Sequence, residues 1–124
     1  LAYNRCDTNA NGQKQFGGIA VTSIGACMHQ DLTTGEDPSG LVCWAWHRYQ
    51  GKNGISLRVI TAYQPNGPGA GGPYTVYAQH IRHLTSKDKN DLRDPRLVFI
   101  VDLEQQLTEW IAAGDQLVVG IDAN

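Results

Sequence analysis

The chain has 124 residues, of which 41% are hydrophobic and 18% charged, a composition typical of one globular domain or of part of one. Its formal net charge of −2 lacks the basic excess of nucleic-acid-binding proteins, so any contact with DNA or RNA has to be local or bridged by a metal ion. The cysteines are odd in number and widely spaced, which argues against a disulfide framework or a zinc knuckle and favours an intracellular (cytoplasmic or nuclear) location: Cys6, Cys27 and Cys43. We find no membrane-spanning or signal-peptide pattern, and therefore expect no membrane partner.

The first half of the chain is predicted to contain three strands. Residues 19–24 have the β-branched composition of a strand. In residues 41–49 both alternate sets of side chains are largely apolar, so we expect this strand to be covered on both faces. Residues 50–54 have the turn chemistry to reverse the chain into a strand at 55–63, which predicts a β-hairpin. The remaining segments of this half are predicted as loops: 1–16 and 29–40.

The second half is predicted to contain two helices before a last strand. Thr75 is a suitable N-cap for a helix over residues 76–84. Asp94 and Pro95 are the residue types that begin a second helix, and Gly114 is the type that ends it. The second helix carries an apolar stripe that is predicted to face the core: Ile100, Leu103, Leu107, Trp110 and Ile111. Strands packed against helices in this order predict a mixed α/β layered fold.

The last strand delivers two polar side chains. Residues 117–121 are uncharged, apolar and partly β-branched, which predicts a buried strand. Asp122 and Asn124 follow two positions apart, so in an extended chain they project from the same face. A carboxylate beside a carboxamide is suited to hold a metal ion, a water molecule or a phosphate oxygen. The alternative is a plain turn, because Asp and Asn both favour strand exits.

Three segments together resemble a known superfamily. They are residues 17–21 (Gly-Gly-Ile-Ala-Val), 58–66 (Arg-Val-Ile-Thr-Ala-Tyr-Gln-Pro-Asn) and 120–124 (Gly-Ile-Asp-Ala-Asn). In this order they resemble the endonuclease/exonuclease/phosphatase superfamily, which has the DNase I-like fold. The first segment resembles the glycine-bearing strand of that family, the second its strand ending in Tyr-x-Pro, and the third its Gly-Asp-x-Asn motif. The pattern as a whole is also similar to the endonucleases of retroelements.

The resemblance implies a fold, a chemistry and a set of roles. The fold is of the α+β type, a four-layer αββα sandwich of mixed, mostly antiparallel sheets flanked by helices, and residues 1–124 would be a central part of it. The chemistry is phosphodiester hydrolysis with Mg²⁺ or Mn²⁺, acting on nucleic acid, and on DNA rather than RNA. By analogy Asp122 orients or activates the attacking water, Asn124 holds that water or a phosphate oxygen, and Tyr63 donates a hydrogen bond to the scissile phosphate.

The chain also departs from the family pattern. Ile121 stands where a glycine would precede the aspartate, and no glutamate occurs among residues 1–16, where the family has its metal ligand. The catalytic histidine of the family would follow Asn124. We therefore expect both ends to be cut, and the isolated chain to be inactive and poorly soluble. Two alternatives use the same scaffold: a non-catalytic binding module, and a phosphatase acting on phospholipid or inositol phosphate.

Other polar residues have a structural interpretation beside a functional one. His80 and His83 fall one turn apart on the first helix, but no acidic residue or cysteine nearby completes a zinc site, so we expect surface or partly buried histidines. His47 shares a strand face with Cys43, where packing is expected rather than a nucleophile pair. Basic residues interleaved with aspartates are expected to form a solvated loop rather than a phosphate site: Arg82, Lys87, Lys89, Arg93 and Arg96.

Overall fold

In the part of the chain that the structure describes, two sheets and two α-helices make up a mixed α+β fold. The computed structural model describes residues 2–3, 19–24, 31–68 and 72–123. In the small sheet, β1 (Ala2–Tyr3) pairs antiparallel with β2 (Ala20–Val21). The main sheet contains, in spatial order, β3 (Asp31–Glu36), β4 (Trp44–Gln50), β5 (Ser56–Tyr63) and β6 (Asp115–Asp122). β3 pairs antiparallel with β4, and β4 antiparallel with β5, whereas β5 and β6 are parallel, so the predicted mixed α/β class is confirmed.

The predicted hairpin joins β4 to β5. Its connection is a 3-10 turn (Lys52–Gly54) in which Asn53 and Gly54 have φ angles of 59° and 78°. Asparagine and glycine are the residue types that tolerate this left-handed region. The amide of Gly51 donates to the carbonyl oxygen of Ile55 at 2.6 Å and closes the turn. The hairpin prediction is confirmed, with β5 beginning at Ser56.

Strand β3 corrects the prediction that residues 29–40 form a loop. The strand lies at one edge of the main sheet and pairs with β4. Its threonines and its glutamate are exposed, so it lacks the alternating apolar residues by which strands are recognised in a sequence. Gly35 has a specific packing role, because a Cβ atom there would come within 2.5 Å of the Trp46 indole. Residues 31–36 are therefore extended because they pair with β4, and not because of their own sequence pattern.

Both predicted helices are present. Helix α1 (Val76–Lys87) begins at the predicted N-cap, where the Thr75 hydroxyl accepts a hydrogen bond from the Ala78 amide, but it continues to Lys87 instead of ending at 84. Helix α2 (Pro95–Ala112) begins after Asp94, whose carboxylate accepts from the Arg96 amide at 2.9 Å. The chain leaves α2 through Gly114, with a φ of 90°. No helix among the described residues combines the length and the apolar character needed to cross a membrane.

Helix α2 packs on the face of the main sheet that carries Trp44 and Trp46, which we call the helical face. Trp44 makes an edge-to-face contact with Phe99 at 6.0 Å between ring centroids, and Trp46 a similar contact with Trp110 at 5.4 Å. Leu103 is buried in the same cluster. These aromatic contacts form the centre of the core and fix the rotation of α2.

The rotation of α2 differs from the predicted one. Leu103 and Trp110 are buried and Leu107 packs against the core, as predicted. Ile100 and Ile111 are instead 46% and 63% exposed, and Val98 and Phe99 take the buried positions in the first turns. The sequence 97–101 is apolar all round the helix, so its periodicity permits two adjacent stripes. Contact with the tryptophans of β4 selects the stripe that contains Phe99.

Strand β6 is present, but the prediction that it is buried is wrong. Val118, Val119 and Ile121 are 54%, 36% and 49% exposed, and Asp115 is its one buried residue. Within the described part of the chain, β6 is the edge of the main sheet opposite β3 and has a strand on one side only. Leu117 still packs against the core, whereas the three apolar side chains that follow along the strand stay accessible.

Candidate active site at the ends of two parallel strands

Tyr63 and Asp122 are direct neighbours across the parallel strands β5 and β6. Each is the last residue of its strand. The backbone holds both in place, because the Gln64 amide donates to the Asp122 carbonyl oxygen at 2.9 Å and the Tyr63 amide donates to the Cys43 carbonyl oxygen at 2.8 Å. Residues that lie opposite each other in a sheet project from the same face, so the phenol and the carboxylate emerge side by side.

The two helices are the reason why these strand ends meet. Strand β6 can run parallel to β5 only if the chain between them crosses back over the sheet, and α1 and α2 form this crossover. The carboxyl ends of both strands consequently lie at one edge of the sheet. In open parallel α/β sheets the corresponding edge is where ligands bind, which makes it the first place to look for a site here.

The two side chains differ in accessibility. Asp122 is exposed, whereas Tyr63 is half-buried and packs against the core cluster. Both project from the sheet face opposite to α2, which we call the open face, because Tyr63 alternates with Ala62 and Ala62 lies opposite Trp44 of the helical face. The exposed carboxylate can bind a cation or a water molecule, and the anchored phenol beside it can donate a hydrogen bond. Asn124, the third predicted site residue, lies outside the described residues.

The loop after Tyr63 brings a basic residue to the same edge of the sheet. Gln64 and Pro65 are buried, and a Cβ atom at Gly67 would lie 3.4 Å from Nη1 of Arg96 in the first turn of α2. Of the other basic candidates, Arg93 forms an exposed ion pair with Asp91 at 2.7 Å. Arg93 and Lys89 lie in the exposed loop between the helices, as predicted, but Arg82 and Lys87 lie in α1 and Arg96 lies in α2, so the loop prediction is wrong for these three. Arg96 is the basic candidate that packs beside the loop from Tyr63.

A resident metal ion would have few protein ligands in this part of the site. No group of three or more His, Cys, Asp or Glu side chains is placed to share a metal among the residues that the structure describes. Glu36 ends β3 at the same edge, but three strand spacings separate β3 from β6, about 14 Å, so its carboxylate is too distant to share an ion with Asp122. Mg²⁺ is commonly held by one or two carboxylates together with water and substrate phosphate, and the single carboxylate of Asp122 fits such a site.

The two helical histidines lie in different environments. His80 is 2% exposed, so it is a core residue rather than a surface or partly buried one, and its Nδ1 lies 3.9 Å from Sγ of Cys43. Burial, and then the neighbouring His83, lower the pKa of His80 to about 4. His83 is half-buried and lies 3.3 Å from the Ser39 carbonyl oxygen. Cys43, directly before β4, therefore contacts His80 of helix α1.

A second polar cluster lies on the open face, away from the strand ends. Nδ1 of His47 lies 3.2 Å from Oγ of Ser23 and 3.3 Å from the Tyr49 hydroxyl, and Ser23 and Tyr49 also form a hydrogen bond. The alternation of the β4 sequence places His47 and Tyr49 on one face, but nothing in it indicates Ser23. The cluster connects the segment after β2 to the main sheet.

A buried charge cluster at the start of β6 was not predicted. The Asp115 carboxylate, buried at the start of β6, accepts hydrogen bonds from Arg58 at 2.7 and 3.0 Å, from Arg48 at 2.9 Å and from Ser56. Burial alone would raise the pKa of Asp115, but the hydrogen bonds from Ser56, Arg58 and Arg48 outweigh it and hold the pKa below its usual range. The Arg58 guanidinium also stacks on Trp46 at 4.0 Å, which makes the cluster part of the core.

Comparison with known proteins gives no relative for this arrangement. No family model, no curated protein and no solved structure matches the chain.

Proposed function

We propose that this protein catalyses metal-dependent hydrolysis of phosphodiester bonds in nucleic acid, as an endonuclease. The proposal rests on one observation, the pairing of Tyr63 with Asp122 at the carboxyl ends of two parallel strands. The family resemblance assigns these two residues to one active site although they are far apart in the sequence. Their direct pairing supports that assignment.

Each residue has a distinct role in the proposed reaction. Asp122 accepts a hydrogen bond from the attacking water, orients it toward phosphorus and helps to remove its proton. Tyr63 donates its phenolic hydrogen to a phosphate oxygen and stabilises the charge that develops there. Asn124 holds the water or a second phosphate oxygen. Mg²⁺ or Mn²⁺, held by Asp122 with substrate oxygens and water, would neutralise the phosphate charge.

The proposal includes a four-layer sandwich, in which the main sheet is the inner layer next to the helices. Its support is that α2 covers the helical face, while the open face bears the segment after β2 through the contacts of Ser23 with His47. In a sandwich of this kind, a second sheet packs on the open face about 10 Å away. The Tyr63–Asp122 pair would then lie at the mouth between the sheets.

The test is nicking of supercoiled DNA by the natural full-length protein with Mg²⁺, with Mn²⁺ and with a chelator. We expect metal-dependent nicking that falls at least ~100-fold in Asp122→Ala and about 10-fold in Tyr63→Phe. The matched controls are Asp88→Ala and Tyr74→Phe, which alter an exposed aspartate and an exposed tyrosine elsewhere. Nicking that persists in Asp122→Ala would refute the proposal. DNA binding without cleavage would favour the non-catalytic module.

A further inference from the structure

The loop between β3 and β4 is held together by one buried carboxylate. Asp37, the first residue after β3, is 3% exposed. Its Oδ1 accepts a hydrogen bond from the Ser39 amide at 2.8 Å, and its Oδ2 accepts one from the Cys43 amide at 3.0 Å. The Asp37 amide donates in turn to the Trp44 carbonyl oxygen at 3.0 Å. Both carboxylate oxygens are thus committed to the backbone of this loop, and the two ends of the loop are tied to each other.

Within this loop, Val42 has a backbone conformation that valine rarely adopts. Its φ angle is 58°, in the left-handed region. A residue branched at Cβ is strained there, because the side chain crowds the following carbonyl oxygen. Such a conformation persists only where surrounding contacts enforce it, and strained residues are concentrated at functional sites. The enforcing contacts lie on both sides, since Leu41 is 2% exposed in the core and the Cys43 amide is bonded to Asp37.

The left-handed turn at Val42 changes how Cys43 meets β5. Cys43 comes directly before β4 and continues the pairing of that strand, so it lies opposite Tyr63. In a regular antiparallel pair, two opposite residues at a hydrogen-bonded position exchange both of their bonds. Cys43 divides its two groups, because its carbonyl oxygen accepts from the Tyr63 amide at 2.8 Å whereas its amide donates to Asp37. The carboxylate and the strained residue together fix the direction of the carbonyl that holds the Tyr63 amide.

The bond from Tyr63 to Cys43 matters because Tyr63 is the last residue of β5, and strand ends open more readily than strand centres. On the side of β4, Tyr63 is held by the Cys43 carbonyl oxygen. On the side of β6, the following amide of Gln64 donates to the Asp122 carbonyl oxygen. Loss of the bond to Cys43 would leave the strand end attached through β6, and the phenol would lose its fixed place beside the Asp122 carboxylate.

We propose that Asp37 is a positioning residue for Tyr63. By holding the Cys43 amide, its carboxylate keeps Val42 in the left-handed conformation and presents the Cys43 carbonyl oxygen to the Tyr63 amide. An ionised acceptor suits this task, because its hydrogen bonds are stronger than those of a neutral group. The phenol is thereby held beside Asp122. This inference rests on the proposed function for the role of the phenol, but the backbone arrangement assigned to Asp37 can be measured without substrate.

The first test is amide hydrogen exchange, measured by NMR on the natural full-length protein. Asp37→Asn keeps the size of the side chain but can accept at only one of its two terminal atoms, so the Tyr63 amide should exchange about 10-fold faster relative to that of Val59. Val59 lies in the middle of the same strand and reports any change in global stability. The matched control is Asp88→Asn, which alters an exposed carboxylate that accepts from the Asn90 amide at 2.9 Å and should leave Tyr63 unaffected. Equal acceleration at Tyr63 and Val59, or none at either, overturns the proposal.

Two substitutions at Val42 test the same arrangement with the carboxylate intact. Glycine adopts a φ of 58° without strain, so Val42→Gly should keep the Tyr63 amide as protected as in the parent protein. The ring of proline fixes φ at about −65°, so Val42→Pro should release this amide as Asp37→Asn does. Equal protection of Tyr63 in the two Val42 variants contradicts the proposal, and it does so even where Asp37→Asn fails to fold.

The third test determines whether Asp37 acts through the phenol. In the nicking assay, Asp37→Asn should lower kcat about 10-fold and leave KM for DNA nearly unchanged. In the Tyr63→Phe background, where the phenolic hydrogen is already lost, Asp37→Asn should lower kcat no further. Losses that multiply in the double variant would show that Asp37 supports the fold in general and does not position Tyr63. If the parent protein does not nick DNA, the proposed function fails, whereas the exchange measurements still decide the positioning role.

Discussion

Arg58 and Asp115 form a buried ion pair on neighbouring parallel strands, with 2.7 Å between Nη2 and Oδ2. The side chain of Asp115 is 1% exposed and that of Arg58 is 8% exposed. The carboxylate also neutralises Arg48, which lies directly opposite Arg58 in the β4–β5 pair. The two adjacent guanidinium groups on this sheet face are thus neutralised by one carboxylate, which reaches them because the helices lead the chain back to the sheet.

Removal of this anion is expected to destabilise the fold strongly. Asp115→Ala leaves Arg58 charged and without its partner in the core, which costs about 3–5 kcal/mol in the free energy of unfolding. Equilibrium denaturation with urea measures the change. Asp91→Ala is the matched control, because its ion pair with Arg93 is on the surface, where solvent screens the interaction, and its cost is expected to be much smaller. Similar losses in the two variants would contradict the assigned importance of the buried cluster.

His80 is expected to make the stability of the protein dependent on pH. Its pKa is about 4 in the folded chain against an ordinary value of 6.5, so between these values the unfolded chain binds the proton more strongly. The free energy of unfolding should be highest above pH 6.5 and should decline by about 3 kcal/mol in all as the pH falls toward 4. Denaturation midpoints measured from pH 7 to pH 4 test this. The slope should largely disappear in His80→Leu, and it should be only modestly reduced in His83→Gln because burial is the larger cause of the lowered pKa. An unchanged slope in His80→Leu would show that other groups cause the pH dependence.

Gly35 is expected to tolerate no side chain. A methyl group there would come within 2.5 Å of the Trp46 indole, which is held in turn by Trp110 and Arg58. Gly35→Ala should therefore cost about 1–3 kcal/mol, the usual range for overpacking. Gly120→Ala provides the comparison, since the nearest atom to its Cβ is 3.9 Å away, and thermal unfolding should differ little from that of the parent chain. Equal stability of the two variants would mean that the indole can move aside.

The helix starts and the hairpin turn could be predicted from the sequence because residues close by in the chain determine them. The N-caps Thr75 and Asp94 and the turn at Asn53 and Gly54 act within a few residues of their own position, so the residue types suffice to identify them. Strand β3 was missed because an exposed edge strand needs no apolar alternation. The rotation of α2 was misjudged because Ile100 and Phe99 are equally apolar, and only contact with Trp44 distinguishes them.

The candidate site could not be predicted from the hydrophobic periodicity of the sequence. The pairing of Tyr63 with Asp122 follows from the direction of β6, which the crossover determines; the sequence indicated it through the family resemblance alone. The Arg58–Asp115 pair joins residues 57 positions apart, and neither residue has a neighbour in the sequence that marks it as buried. The exposure of β6 likewise depends on its place at the edge of the sheet, which a short apolar run does not reveal.

The ion pair between Arg58 and Asp115 also determines an order of events during synthesis. When β4 and β5 leave the ribosome they can form their hairpin at once, but Arg48 and Arg58 then lie opposite each other without an anion. That anion emerges only after both helices have been made, so the hairpin carries an unneutralised charge throughout this interval. The docking of β6 closes the longest loop in the main sheet and is expected to be the slow step that commits the chain to its native state.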